Sequence, residues 1–407
     1  MLKNIYPRGH RKVLRLPVLG PHAAGFVDWL VAQGYPPLPI RLRLRAMRDV
    51  DAMLCENGVS SIDELTEAEL LELAPEDSQE DLYRSAVIRS LVSYFTTCRL
   101  LKPTPLTPAE HLALQYVTYL DRVRGLAKST RVHHGATARE MLTSVGFDGD
   151  LATLEKLGPR DIEGFVRQAG ARVSRASLQH VVAYVRSFLR YLAGRRLVAL
   201  GLDAQIDTPR LYRGESLPRA LPWETVRTFL AAVDRTTAMG KRDYAMFLLI
   251  STYGLRTSEV AHLRLEDIYW RVEELRVARS KTCSRLIVPL TTEVGACLID
   301  YLRHGRPQMS HREVFLRVRA PSGPLRPTAI TEAFQGWVRR SGLPIPYQGP
   351  HCLRHSLAVH LLRRGASLKT IGDLLGHRSV ESTCVYLRLH VEDLREVALD
   401  LPREVVR

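Results

Sequence analysis

The sequence predicts a mainly α-helical chain with a small β-sheet confined to its last domain. Apolar residues recur at helical spacing along most of its length, and two short alternating runs after residue 270 read as strands. At 407 residues the chain exceeds one ordinary core, so about two to three domains are expected. Its hydrophobic share of 45% and charged share of 25% are those of a folded globular protein, which argues against wholesale disorder and fibrous repeats.

From Phe26 to Leu101 the pattern is helical, carried by Phe26, Val27, Trp29 and Leu30, then Met47, Met53 and Leu54, then Val87, Leu91, Tyr94 and Phe95. An acidic stretch, Asp63 to Asp81, interrupts it and would repel a phosphate backbone. Residues 107 to 200 follow the same plan: Tyr116 to Leu120 echoes Phe26 to Leu30, and Met141-Leu142 before Gly146 echoes Met53-Leu54 before Gly58. We read a duplicated helical domain; the alternative is chance likeness between two amphipathic stretches. The second copy carries Arg122, Arg124, Lys128, Arg131, His133 and His134, types suited to phosphates, so it is the one expected to grip a polyanion. Between Leu202 and Pro222 the chain turns polar, and Pro209, Gly214, Pro218 and Pro222 mark a linker. A third domain opens at Trp223 and runs to about residue 390.

The formal net charge is +15 and unevenly placed. Residues 1 to 100 hold 12 Lys and Arg against 13 Asp and Glu, while the other 307 hold 46 against 30. Nucleic acid is the first candidate partner, with mere solubility as the bland alternative. Cys55, Cys98, Cys283, Cys297, Cys352 and Cys384 include no C-x-x-C pair and no zinc pattern, so reduced thiols and no metal are expected. Met1 to Arg8 lacks an apolar signal core, and no run reaches the roughly 18 apolar residues of a membrane span. A cytoplasmic protein without membrane contact follows as the expectation.

In the third domain Tyr244 to Tyr253 is apolar nearly all round, as for a buried helix, and Gly254 can end it in a left-handed cap. The following Leu255-Arg256-Thr257-Ser258-Glu259 starts a second helix, which fixes Arg256 at a rigid junction. Leu275 to Arg279 and Leu286 to Leu290 read as strands, with Lys281 on the turn joining them, by default a solvated surface charge. Pro350 opens a helix whose apolar side is Leu353, Leu357 and Leu361, with His351 and Arg354 sharing another face. Gly365 stops it, Ser367 caps the next helix, and Gly376 stops that one, leaving His377 at an exposed boundary. Ser379 begins a last short helix bearing Tyr386, and Cys352 and Cys384 read as small buried fillers.

The series Gly254-Leu255-Arg256-x-Ser258-Glu259, Lys281 eight residues before Pro289, His351-x-x-Arg354-His355, Leu375-Gly376-His377 and Tyr386 resembles the active-site signature of the tyrosine recombinase, or phage integrase, family. The resemblance spans about residues 220 to 390, and residues 107 to 200 resemble the family's core-binding domain. It implies a tyrosine recombinase catalytic fold preceded by one or two helical SAM-like domains. The resulting division is 1–102, a helical domain and candidate duplicate; 103–205, core-binding; 206–222, linker; 223–390, catalytic; and 391–407, a tail helix.

The resemblance also implies a site-specific recombinase that cuts and rejoins DNA through a 3′-phosphotyrosine, with Tyr386 as nucleophile and no cofactor. Arg256 and Arg354 would hold the nonbridging oxygens. Lys281 would protonate the departing 5′-oxygen, His351 would take the proton of Tyr386, and His377 would bond the phosphate. Glu259 and His355 would support them from behind, or be plainly structural. After Tyr386 the stripe Val391, Leu394, Val397, Ala398 and Leu401 implies a tail that docks on a neighbouring subunit, hence a homotetramer on double-stranded DNA, with accessory proteins as possible further partners. The rivals are a type IB topoisomerase and a DNA-binding accessory protein without catalysis. The N-terminal domain is left open, between DNA contacts through Arg41, Arg43, Arg45 and Arg48 and protein contacts through its acidic stretch.

Overall fold

A computed structural model describes residues 1–74, 82–211, 218–279, 284–377 and 379–389. It divides into two compact units, one of residues 1–65, 69–100 and 216–407, the other of residues 66–68 and 101–215.

The N-terminal helices are α1 (Leu2–Ile5), α2 (His10–Leu14), α3 (Ala23–Ala32), α4 (Pro37–Glu56), α5 (Glu67–Glu72) and α6 (Leu82–Cys98). Phe26, Val27 and Leu30 of α3, Met47 and Leu54 of α4, and Val87, Leu91 and Phe95 of α6 are buried, as their spacing predicts. The short α1 and α2 were not expected, because four and five residues carry too little periodicity to be read. Asp51 of α4 is buried yet satisfied: its carboxylate accepts from the amides of Val18, at 3.1 Å, and Leu19, at 2.6 Å. The carbonyl of Gln33 accepts from the amide of Ser322 at 2.8 Å, a backbone tie within the same unit.

The second unit contains α7 (Pro108–Arg122), α8 (Lys128–Ser144), α9 (Leu151–Glu155), α10 (Pro159–Arg172) and α11 (Arg175–Gly194). Thr107 and Glu110 form a capping box with Pro108 at the first helical position, and Ser174 caps α11. Its core joins Tyr116, Leu120, Met141, Leu142, Phe165, Phe188 and Leu192. The chain leaves α4 and α8 in the same way: Gly58 and Gly146 have φ of 75° and 68°, and the next amides reach back to Leu54 and Leu142 at 2.9 and 3.0 Å. It also leaves α6 and α11 alike, through Arg99 and Arg196 with φ of 54° and 60° and reach-back bonds of 3.0 Å from Leu100 to Phe95 and from Leu197 to Leu192.

The C-terminal part of the first unit comprises α12 (Trp223–Ala231), α13 (Ala238–Tyr253), α14 (Thr257–Ala261), β1 (Ile268–Tyr269), β2 (Glu274–Arg279), β3 (Ser284–Pro289), α15 (Thr292–His304), α16 (Pro327–Ser341), α17 (His351–Arg363), α18 (Leu368–Leu375) and α19 (Glu381–Cys384), then a 3₁₀ turn, Val385–Leu389. The strands form an antiparallel sheet in the order β1-β2-β3, with Leu275 opposite Val288 and Val277 opposite Leu286. The helix α13 is buried on all sides, and it starts at Ala238, six residues before the apolar run, because Thr237 caps it through the amide of Gly240. Its Asp243 is buried with Arg242 and accepts from the indole of Trp337 at 2.9 Å.

Candidate active site

The site is organised around the last turn of α18. Ser367 starts this helix by accepting from the amide of Thr370, and Gly376 ends it at φ 64°. A helix end leaves carbonyls short of partners, and here three guanidiniums supply them. Arg279 donates to the carbonyl of Asp373, at 3.1 Å, and to that of Leu374. Arg354 donates to Leu375, and Arg256 to Gly376, at 3.1 Å. Cations at this negative end of the helix dipole are favourably placed.

Each arginine is fixed by its own element. Arg256 caps α14 just after the left-handed Gly254; its amide donates to one oxygen of Glu259 at 2.8 Å and its Nη1 to the other at 2.7 Å. Arg354 sits in α17 and also donates to the carbonyl of Gly254. Arg279 ends β2 in phase with the inward Leu275 and Val277, and its Nε lies 3.9 Å from the Glu259 carboxylate. Arg354, Arg279 and Glu259 are all buried. Burial lowers the pKa of Arg354 to about 10, with Arg256 adding to the effect, and lowers that of Arg279; Arg354 keeps its charge at neutral pH. A Cβ on Gly254 would stand 2.4 Å from Leu375 Cδ2, and one on Gly376 would stand 2.4 Å from Arg279 Nη1, so the cluster depends on both glycines.

Tyr386, on the 3₁₀ turn, is only 1% exposed and packs among Ala358, Val359, Ile371 and Leu375. Its hydroxyl is 2.9 Å from Nδ1 of His355. Burial raises the phenol pKa, while Arg354 and Arg256 pull it back. Burial also lowers His355 to about 4, with His351 and Arg354 contributing. His377 is lowered to about 4 by burial and then by Arg354, Arg256 and Arg279; its Nδ1 is 2.8 Å from the hydroxyl of Thr383, and its ring stacks with Tyr386 at 6.2 Å. Both imidazoles are therefore neutral at pH 7.

Of the residues expected at the site, the structure brings together Arg256, Glu259, Arg354, His355, His377 and Tyr386. His351 is exposed at the start of α17, with its ring 6.2 Å from that of His355, and the imidazole touching the phenol is that of His355. His351 is exposed and Arg354 is buried, although the two stand three residues apart on α17. His377 is half-buried rather than exposed, held by Thr383, and Cys384 is half-buried where a buried filler was expected. Lys281 and the tail stripe Val391 to Leu401 lie outside the described residues. Arg279 and Thr383 were not anticipated; a charged residue in the inward phase of a strand was the available signal for the first.

Arg122, Arg124, Lys128 and His133 in the second unit are exposed. Arg131 is half-buried and paired with Asp121 at 2.5 Å. His134 is corrected: it is a core residue, its Nδ1 2.8 Å from the hydroxyl of Tyr116 and its ring packed on Tyr184, because one helical step turns it from His133 onto the face of Ala138 and Met141. Among the described residues, no helix is long and apolar enough to cross a membrane.

The family described as "Phage integrase family" matches residues 219–393, and "Phage integrase, N-terminal SAM-like domain" matches residues 113–196. The chain is 32% identical over 386 residues to putative integrase/recombinase y4rA of Sinorhizobium fredii, covering 93% of each chain. It is 30% identical to tyrosine recombinase XerD of Listeria monocytogenes over 286 residues, 69% of this chain and 94% of that one. A lambda integrase tetramer bound to a Holliday junction shares the fold at a TM-score of 0.53 and 16% identity, covering 76% of this chain and 89% of that one. The chain therefore belongs to the phage integrase family of tyrosine-type site-specific recombinases.

Proposed function

We propose that this protein cuts and rejoins double-stranded DNA at specific sites, using Tyr386 as the nucleophile. The phenol oxygen bonds to the scissile phosphorus, the bond to the 5′-oxygen breaks, and a 3′-phosphotyrosine and a free 5′-hydroxyl result. His355 accepts the phenol proton, Lys281 supplies one to the leaving oxygen, and Arg256 and Arg354 hold the nonbridging oxygens as charge builds. His377 bonds the same phosphate, and Glu259 and Arg279 position the two guanidiniums. One ester replaces another, so religation needs no external energy source.

One observation supports this reading above the rest: Arg256 and Arg354 hold adjacent carbonyls, those of Gly376 and Leu375, in a site that also holds a phenol bonded to a neutral histidine. By name the relatives are recombinases and integrases, which favours neither the type IB topoisomerase nor the accessory reading. The lambda integrase tetramer on a Holliday junction supports a homotetramer on DNA; the apolar stripe within 391–407 would couple its protomers. Such a protein works beside the chromosome, in the cytoplasm. The test is to sequence DNA covalently attached to the protein in its own cell, then to present that site as a duplex nicked beside the cleavage point. Wild type is trapped on it and Tyr386→Phe is not; trapping of the Phe variant, or failure of wild type to trap, overturns the reading.

A further inference from the structure

The near balance of charge over residues 1 to 100 conceals a strong polarity. The first 48 residues hold nine Lys and Arg against one carboxylate, Asp28, and the next 52 hold three against twelve. The structure gathers the basic share. Arg41, Arg45 and Arg48 recur on α4 at intervals of four and three residues, so they form one stripe, and all three are exposed. The Nε of Arg41 donates to the carbonyl of Ile5 at 2.6 Å, which places the end of α1 against the start of that stripe. From there the chain runs through Arg8 into α2, where Arg11 and Lys12 are exposed while Val13 is fully buried and anchors the helix; Arg15 follows, also exposed.

Among the described residues none of Arg8, Arg11, Lys12, Arg15, Arg45 and Arg48 is in an ion pair; Asp49, one turn beyond Arg45, and Glu56 are the carboxylates exposed on α4. The exposed large apolar side chains in this segment are Met1, Leu14 and Leu38, with no exposed aromatic ring. A protein interface is organised around buried aromatic and apolar anchors. A face of unpaired, long, cationic side chains with few anchors fits regularly spaced phosphates instead.

We propose that the face formed by α1, α2 and the Arg41–Arg45–Arg48 stripe of α4 binds duplex DNA through its phosphates, as a contact separate from the catalytic cleft and without base readout. This rests on the reading of the chain as a DNA-acting recombinase. It gives the N-terminal helices a holding role: they raise the time the protein spends on DNA irrespective of sequence.

The test uses the full chain and a 60-base-pair duplex of random sequence, with affinity measured across a salt series. The variant is R8Q/R11Q/K12Q/R15Q/R45Q, which spares Arg41 because its guanidinium ties α4 to Ile5. Each phosphate contact contributes about 0.9 to the slope of log affinity against log salt, so the slope should fall by about 2 to 4, with at least about a tenfold loss of affinity at low salt. An unchanged thermal midpoint shows that the variant is folded; if it is not, R11Q/R15Q alone should still lower the slope by about 1 to 2. A wild-type slope and affinity in the folded variant overturn the proposal. That failure is distinct from failure of the functional reading, in which the wild type itself neither binds the duplex nor is trapped on its site.

Discussion

The hydroxyl of Tyr386 rests 2.9 Å from Nδ1 of His355, in a place where the phenol shows 1% of its surface to solvent. The phenol and its imidazole partner are already paired, the phenol buried and the imidazole half-buried.

This pairing separates the two histidines of α17. His355→Ala should slow formation of the covalent complex by about 10²-fold or more, while His351→Ala should slow it less. Single-turnover trapping on a nicked duplex measures both; a larger loss at His351 would move the base to that residue.

Arg279 is expected to act through position. Arg279→Ala leaves the carbonyls of Asp373 and Leu374 without their guanidinium and removes one of two cations near Glu259, a loss of about 2 to 3 kcal/mol in urea unfolding. Cleavage should slow as well. Arg279→Lys should recover part of the stability and less of the rate, since a lysine cannot span two carbonyls in a planar fork.

Gly376→Ala should damage the site without touching any catalytic group. An L side chain at φ 64° is strained by about 1 kcal/mol, and its Cβ would also displace Arg279. The expected outcome is a lower unfolding midpoint together with slower trapping.

Acid should loosen the catalytic part. His355 and His377 titrate near pH 4 when folded, below the ordinary value near 6.5, so the unfolded chain binds more protons between these limits. Their stabilising contribution is complete above about pH 6.5 and is lost as pH falls through about 4. The urea midpoint should therefore be lower at pH 5 than at pH 7.5, and His377→Gln should reduce that difference.

In the second unit His134→Ala should lower stability by about 1 to 3 kcal/mol, because the buried hydroxyl of Tyr116 loses its partner, and it should leave the salt slope of DNA binding alone. Arg124→Gln and Lys128→Gln should do the reverse, each lowering that slope by about 1.

What could be read in the sequence was what local chemistry decides. Gly254, Ser367 and Gly376 announced helix ends because backbone conformation and capping act within a few residues. The strand β1 escaped, since two residues cannot display alternation. Arg279 escaped for a different reason: its partners at Asp373 and Leu374 lie 94 and 95 residues away, and no spacing rule spans that distance. The contact between His355 and Tyr386 stayed hidden because a motif orders residues along the chain but does not say which ring faces the phenol. His134 was misassigned on residue type although the phase of α8 pointed it inward.

Three arginine charges converge on α18, opposed by one carboxylate and by the roughly half unit of negative charge at a helix C-terminus. The remainder is about one and a half positive charges. A phosphodiester at rest brings one negative charge and its five-coordinate form approaches two, so the surplus lies between them. Under the proposed mechanism such surroundings would leave the resting ester slightly overmatched and meet the crowded phosphorus more evenly, and this difference, rather than tight holding, would favour exchange.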